Sequence, residues 1–153
     1  MVYGAYGVTV NTEVCGTFDS GSIPDRHPRM TKEKARELLE IYGRAWETKD
    51  PELVISLFTE NATYNDPKEV ENFGRDAIKK YWETKVIGEQ DNIHFRILNV
   101  WIDGSTVIAE WHATFTDTKR NLSVDLTEVA ILEVENEKFC SLREYYKSIK
   151  TEL

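Results

Sequence analysis

TKEKARELLEIYGRAWETKDPELVISLFTENATYNDP, residues 31–67, is the stretch from which the fold can be read. In its first half Ala35, Leu38, Leu39, Tyr42, Ala45 and Trp46 recur at the i, i+3, i+4, i+7 spacing of one helix face. Glu33, Glu37, Glu40, Arg44 and Glu47 take the opposite side, and Thr31 stands where the helix would start. Lys49-Asp50-Pro51 ends this helix and begins another, because Asp50 suits an N-cap and Pro51 the first helical turn. Leu53, Val54, Leu57 and Phe58 face inward from that short second helix. Asn61 to Asp66 reads as a strand closed by Asp66-Pro67. The remainder of the chain must supply the surface that the first helix covers.

Working outward, Gly74 leads into a third helix with Ala77, Ile78, Tyr81 and Trp82 on its apolar side, ended by Gly88. Four strands are predicted next, at 93–102, 105–116, 121–134 and 138–148. Asp103-Gly104 is the hairpin signal between the first two. That turn puts His94, Arg96, Leu98, Val100, Val107, Ala109, Trp111 and Ala113 on one face, joined by Val124, Leu126, Glu128, Ala130 and Leu132. This face should lie under the helices. The other face carries Phe95, Ile97, Trp101, Ile108, His112, Val129 and Ile131 and is too apolar to be simply wet, which suggests a homodimer surface. The last strand stays open. Cys140, Leu142, Glu144 and Tyr146 alternate with Ser141, Arg143 and Tyr145, and a one-residue change in turn length exchanges the two sets. The fold class is α+β: a curved antiparallel sheet packed on three N-terminal helices.

Residues 1–30, rich in glycine and ending near Pro24 and Pro28, read as an N-terminal extension to a domain at 31–150. With 153 residues, 41% hydrophobic and 30% charged, the chain fits one globular domain. A net charge of −8 argues against nucleic acid and against an anionic membrane surface as partners. Cys15 and Cys140 form neither a CxxC nor a metal-ligand spacing, which fits a reduced compartment. No apolar run spans a membrane and no signal peptide is evident, so the expectation is a cytoplasmic protein. No GxGxxG, Walker loop, GxSxG or HExxH motif occurs, and neither a cofactor nor a metal is expected.

Helix, KDPE turn, LFTENATYNDP, helix and a four-strand meander ending in REYYKS together resemble the nuclear transport factor 2-like superfamily, which includes SnoaL-like enzymes and ketosteroid isomerases. The resemblance covers roughly residues 31–150 and implies a cone with a pocket at its open end, often dimeric through the outer sheet face. It also implies site residues. Ketosteroid isomerases carry a first-helix tyrosine eight residues before the turn, matched by Tyr42, and a proton-shuttling aspartate before a proline, matched by Asp66. Their second, protonated aspartate on the penultimate strand is matched by Glu128, one methylene longer. In ketosteroid isomerases the two aspartates have widely separated pKa values, and the resemblance implies the same division between Asp66 and Glu128.

On that resemblance Asp66 would take a proton, Tyr42 would donate to a developing oxyanion, and Glu128, in phase with apolar neighbours, would be held neutral by burial. Trp46, Tyr64, Phe73, Trp82, His94, Trp111 and Tyr146 are candidates to bind the ligand. Each acid has a plainer reading. Tyr42 could be a core tyrosine, Asp66 a turn acid, and Glu128 a partner of Arg143, Arg96, Tyr145 or Tyr146. His94 and Arg96 could line the pocket mouth or sit at a solvated strand end. Three functions follow: cofactor-free acid–base catalysis of isomerase, hydrolase or dehydratase type on an apolar substrate, ligand binding without catalysis, or a dimeric protein-interaction module.

Overall fold

A computed structural model describes residues 29–153. The readings made for residues 1–28, Cys15 among them, lie outside the described residues. Helix α1 runs Lys32–Thr48 and buries Leu38, Leu39, Tyr42 and Trp46, the stripe expected of it. Thr31 Oγ1 accepts from the Lys34 N–H and caps its start. At its end Lys49 turns left-handed at φ 53°, and the N–H groups of Lys49 and Asp50 donate to the Trp46 and Ala45 carbonyls of the last turn. Helix α2, Pro51–Ser56, is capped by Asp50, whose Oδ1 accepts from Leu53 N–H at 2.9 Å.

Strand β1 is Phe58–Asn65 and β2 is Asn72–Phe73, a short antiparallel pairing partner of β1. Helix α3, Arg75–Trp82, follows β2 and continues into a π-helical turn at Glu83–Ile87. The long strands are β3 Gln90–Asp103, β4 Thr106–Asp117, β5 Leu122–Glu135 and β6 Lys138–Glu152. They form the expected meander in a curved sheet of order β2-β1-β6-β5-β4-β3. One pairing departs from an antiparallel sheet: β1 runs parallel to β6. Parallel neighbours need a long crossover, and here everything from β2 to β5 supplies it.

The first hairpin turns at Gly104-Ser105, one residue later than expected, with Gly104 at φ 61°. Val100 therefore faces Ala109 instead of Val107, a two-residue slide that leaves the faces unchanged. A bulge at Leu98 has a larger effect. Below it Ile97 pairs with Trp111 and Phe95 with Ala113, so Phe95 and Ile97 point inward while His94 and Arg96 point outward. The sequence reading had these four reversed. Phe95 fills the notch that Gly43 leaves in α1, where an added Cβ would stand 2.1 Å from its ring. The β5–β6 turn uses Asn136 and Glu137, both at positive φ, as a tight hairpin requires. The core lies between the helices and the inner sheet face, centred on Tyr42, Trp82 and Trp111. Among the described residues no helix is long and apolar enough to cross a membrane.

Candidate functional site

A cavity of about 300 Å³ opens between α1, α3 with its π turn, and the inner faces of β4 to β6. Six carboxyls line it; Glu69, Glu89 and Asp117 are paired with Lys85, Lys119 and Arg120, which leaves Asp66, Glu128 and Glu144. Glu128 and Glu144 share a face because of register. Glu128 pairs with Tyr146 and Ala130 with Glu144, so the acids are diagonal neighbours on β5 and β6. They are 3% and 7% exposed, and apolar residues surround them on both strands. Their carboxyls approach closely enough to share a hydrogen bond when one is protonated.

Glu144 is held from the helix side. Tyr42 OH donates to its Oε1 at 3.3 Å, Tyr64 OH donates to the same oxygen, and the two hydroxyls meet at 3.0 Å. Burial pushes Glu144 up to about 8, outweighing the hydrogen bonds from Tyr64, Tyr42 and Glu128, and the charge of Asp66 adds to the rise. Burial also pushes Glu128 well above the usual carboxyl range, helped by the charges of Glu144 and Asp66. The Trp111 N–H opposes this from nearby without forming a hydrogen bond of ordinary geometry. Burial likewise raises Tyr42 and Tyr64, next to the Glu144 charge, so both hydroxyls stay protonated donors.

Asp66 stands in a different setting. It is half-buried at the end of β1 and accepts three hydrogen bonds: from Tyr81 OH at 2.7 Å, Tyr146 OH at 3.0 Å and the Lys68 N–H at 2.9 Å. Two buried atoms in the cavity wall lack a protein partner, Glu128 Oε1 and Trp82 Nε1. An unpaired buried polar atom is costly, so both are positions where a ligand would gain a hydrogen bond.

The structure thus brings Tyr42, Trp46, Tyr64, Asp66, Trp82, Glu128 and Tyr146 to one cavity. It leaves three candidates out. Phe73 is 67% exposed on β2, His94 is outside because of the Leu98 bulge, and Trp111 is fully buried behind Tyr42 and Phe95. The Tyr42 hydroxyl meets that of Tyr64 and the Glu144 carboxyl. Glu128 pairs with neither Arg96 nor Arg143, which lie on the outer face, and the Tyr146 hydroxyl goes to Asp66. His94 and His112 share the outer face, contrary to the derived register, and His112 contacts Asp125 at 3.1 Å. Among the described residues no three His, Cys, Asp or Glu side chains converge as a metal site would require. Sequence reasoning missed Glu144 and Tyr81. Glu144 was one of two alternatives on a strand whose facing was unresolved. Its signal is the inward phase of Leu142, which meets Leu132 across the ladder.

Helices covering one face of a curved sheet, with an acid-bearing cavity between them, define a protein of the nuclear transport factor 2-like architecture. The chain belongs to the SnoaL-like domain family, whose model matches residues 38–142. A search of curated protein sequences finds no match. Similar solved structures include a hypothetical protein with a ketosteroid isomerase-like fold from Catenulispora acidiphila in complex with trimethylamine, at 21% identity and TM-score 0.66, covering 72% of this chain and 85% of that one. Another is an M. tuberculosis LEH-like epoxide hydrolase, at 16% identity and TM-score 0.63, covering 75% and 84%. A nuclear transport factor 2-like protein from Anabaena variabilis aligns at 19% identity and TM-score 0.67, covering 76% and 89%. At these identities the likeness is one of fold.

Proposed function

We propose that the protein is a cofactor-free acid–base enzyme acting on a small, largely apolar substrate. One observation carries this reading: carboxyls in two unlike environments face one cavity. Asp66, accepting three hydrogen bonds, is the proton acceptor for an acidified C–H or a water. Glu128, buried and with Oε1 unpartnered, is the neutral acid that donates to the oxygen where charge develops. Tyr42, Tyr64 and Glu144 position Glu128 from behind. The epoxide hydrolase and isomerase-like folds among the neighbours support the class of chemistry without naming a reaction.

The test has two arms. Carboxyl ¹³C resonances followed from pH 4 to 9 should show Glu128 protonated at neutral pH, and an ordinary carboxylate midpoint there refutes its role as acid. A thermal-shift screen of small carbonyl compounds, epoxides and alcohols should then yield a ligand whose turnover is lost in Asp66→Asn and in Glu128→Gln. Binding with no turnover of any hit would leave a ligand-binding module instead.

We also propose that the chain is a homodimer through its outer sheet face. Trp101 and Tyr145 are 51% and 53% exposed there, beside the half-buried Ile108, Val129 and Ile131. Sedimentation should give a dimer mass that falls to a monomer in Trp101→Glu. A monomeric native protein contradicts this assembly.

A further inference from the structure

The cavity changes polarity along its length. From Glu144 onward the inward side chains of β6 are Tyr146, Ser148 and Lys150, one at every second residue. Opposite them on β5 stand Glu128, Leu126 and Val124, paired in register with Tyr146, Ser148 and Lys150. One strand therefore runs from acid through phenol and hydroxyl to ammonium, alongside a strand that is apolar past its acid.

The rim carries four cations, Lys68, Lys85, Arg120 and Lys150, and three acids, Glu69, Glu89 and Asp117, of which Glu89 is paired with Lys119 at 3.0 Å. Lys85 is paired with Glu69 at 2.7 Å and Arg120 with Asp117 at 3.0 Å. Lys68 and Lys150 have no ion-pair partner among the described residues. Lys68 Nζ instead lies 4.5 Å from the centre of the Tyr146 ring, and the Tyr146 hydroxyl reaches Asp66. Lys150 is near enough to Asp117 to help lower its pKa, but Asp117 is engaged by Arg120. The chain has 27 acidic side chains against 19 lysines and arginines, so a lack of acids does not explain two ammoniums outside any close ion pair at one opening.

We infer that the substrate carries an anionic group, a carboxylate or phosphate ester, at the end away from the reacting atoms. This rests on the reading of the cavity as a substrate site. The uncharged oxygen-bearing end meets Glu128, the apolar body lies along Leu126, Val124 and Phe115, and the anion sits between Lys68 and Lys150. The reverse orientation would bury an anion against two carboxyls with no cation beside it, which is unfavourable in a poorly solvated site. The two ends therefore select one orientation.

The probes are 8-anilinonaphthalene-1-sulfonate and N-phenyl-1-naphthylamine, the same ring system with and without an anion. In fluorescence titrations the sulfonate should bind about tenfold more tightly, and added salt should narrow the gap. Lys68→Gln with Lys150→Gln should remove the preference and leave the neutral dye within about twofold of its native affinity. Displacement by 1-naphthoate and by 1-naphthyl phosphate would then rank the two anions. Equal affinity for both dyes, or a preference surviving in the double variant, overturns the anionic tail while leaving the cavity reading intact. If neither dye binds, the cavity reading falls and the inference falls with it.

Discussion

Placing Glu144 and Glu128 in the core has a cost that depends on pH. Glu144 has a folded pKa of about 8 against an ordinary value of 4.5, with burial as the main cause. Between those values the folded state holds a proton that the unfolded chain has released. The unfolded state then binds fewer protons, so stability falls as pH rises, by about 1.4 kcal/mol per pH unit for one group. Across the full window this amounts to roughly 5 kcal/mol, a large share of the 5–15 kcal/mol typical of a domain. Glu128 is raised for the same reason and steepens the slope while both are titrating. The assay is urea unfolding followed by tryptophan fluorescence at several pH values from 5 to 8, since Trp82 and Trp111 are fully buried reporters. Glu144→Gln keeps an acceptor for Tyr42 and Tyr64 but cannot ionise. It should lower the slope by about one proton and leave the variant more stable than the native chain at pH 8. A native protein whose stability is flat or rising over that range refutes the reasoning. So does a Gln variant with an unchanged slope.

Other outcomes follow from single contacts. Tyr64→Phe removes a donor to Glu144, so it should cost about 1–2 kcal/mol and move the Glu144 midpoint further up, read by ¹³C titration. Gly43→Ala should lose about 1–2 kcal/mol net, because overpacking against Phe95 exceeds the gain in helix propensity, and Phe95→Leu should recover part of it in a double-mutant cycle. Asp50→Ala should lose about 1 kcal/mol through the missing cap on Leu53 N–H, measured by thermal unfolding. Lys49→Gly relieves a left-handed residue and should raise the melting temperature slightly, while its loss of a mostly solvated ion pair with Asp91 matters little.

Where one periodicity dominated, the sequence was readable. The α1 stripe and the alternation of Val124 to Leu132 on β5 came out as expected, and with them the burial of Glu128. On β3 the apolar phase switches from Ile93, Phe95 and Ile97 to Leu98, Val100 and Ile102, and that switch marks the bulge; carrying one register down the whole strand overlooked it and turned His94 in and Phe95 out. On β6 a shift of register between the turn and Ser141 settles the facing, and both Phe139 and Cys140 are buried beside it. That shift decides whether Glu144 or Arg143 points inward, and no turn signal encodes it. The partners of Asp66 were hidden for a different reason. Tyr81 and Tyr146 come from a helix and a strand far apart in sequence, and only tertiary packing joins them.

The parallel pairing of β1 with β6 has a consequence for folding kinetics. The meander of β3 to β6 can assemble through successive hairpins, each closing a short loop. Tyr64 and Glu144 are separated by 80 residues, as are Asp66 and Tyr146, so their meeting must close a long loop against a sheet already formed. The acid-lined cavity should therefore be among the last parts of the molecule to appear. In refolding experiments, recovery of dye binding in the cavity should lag the recovery of strand circular dichroism, and simultaneous recovery would argue for a single concerted step.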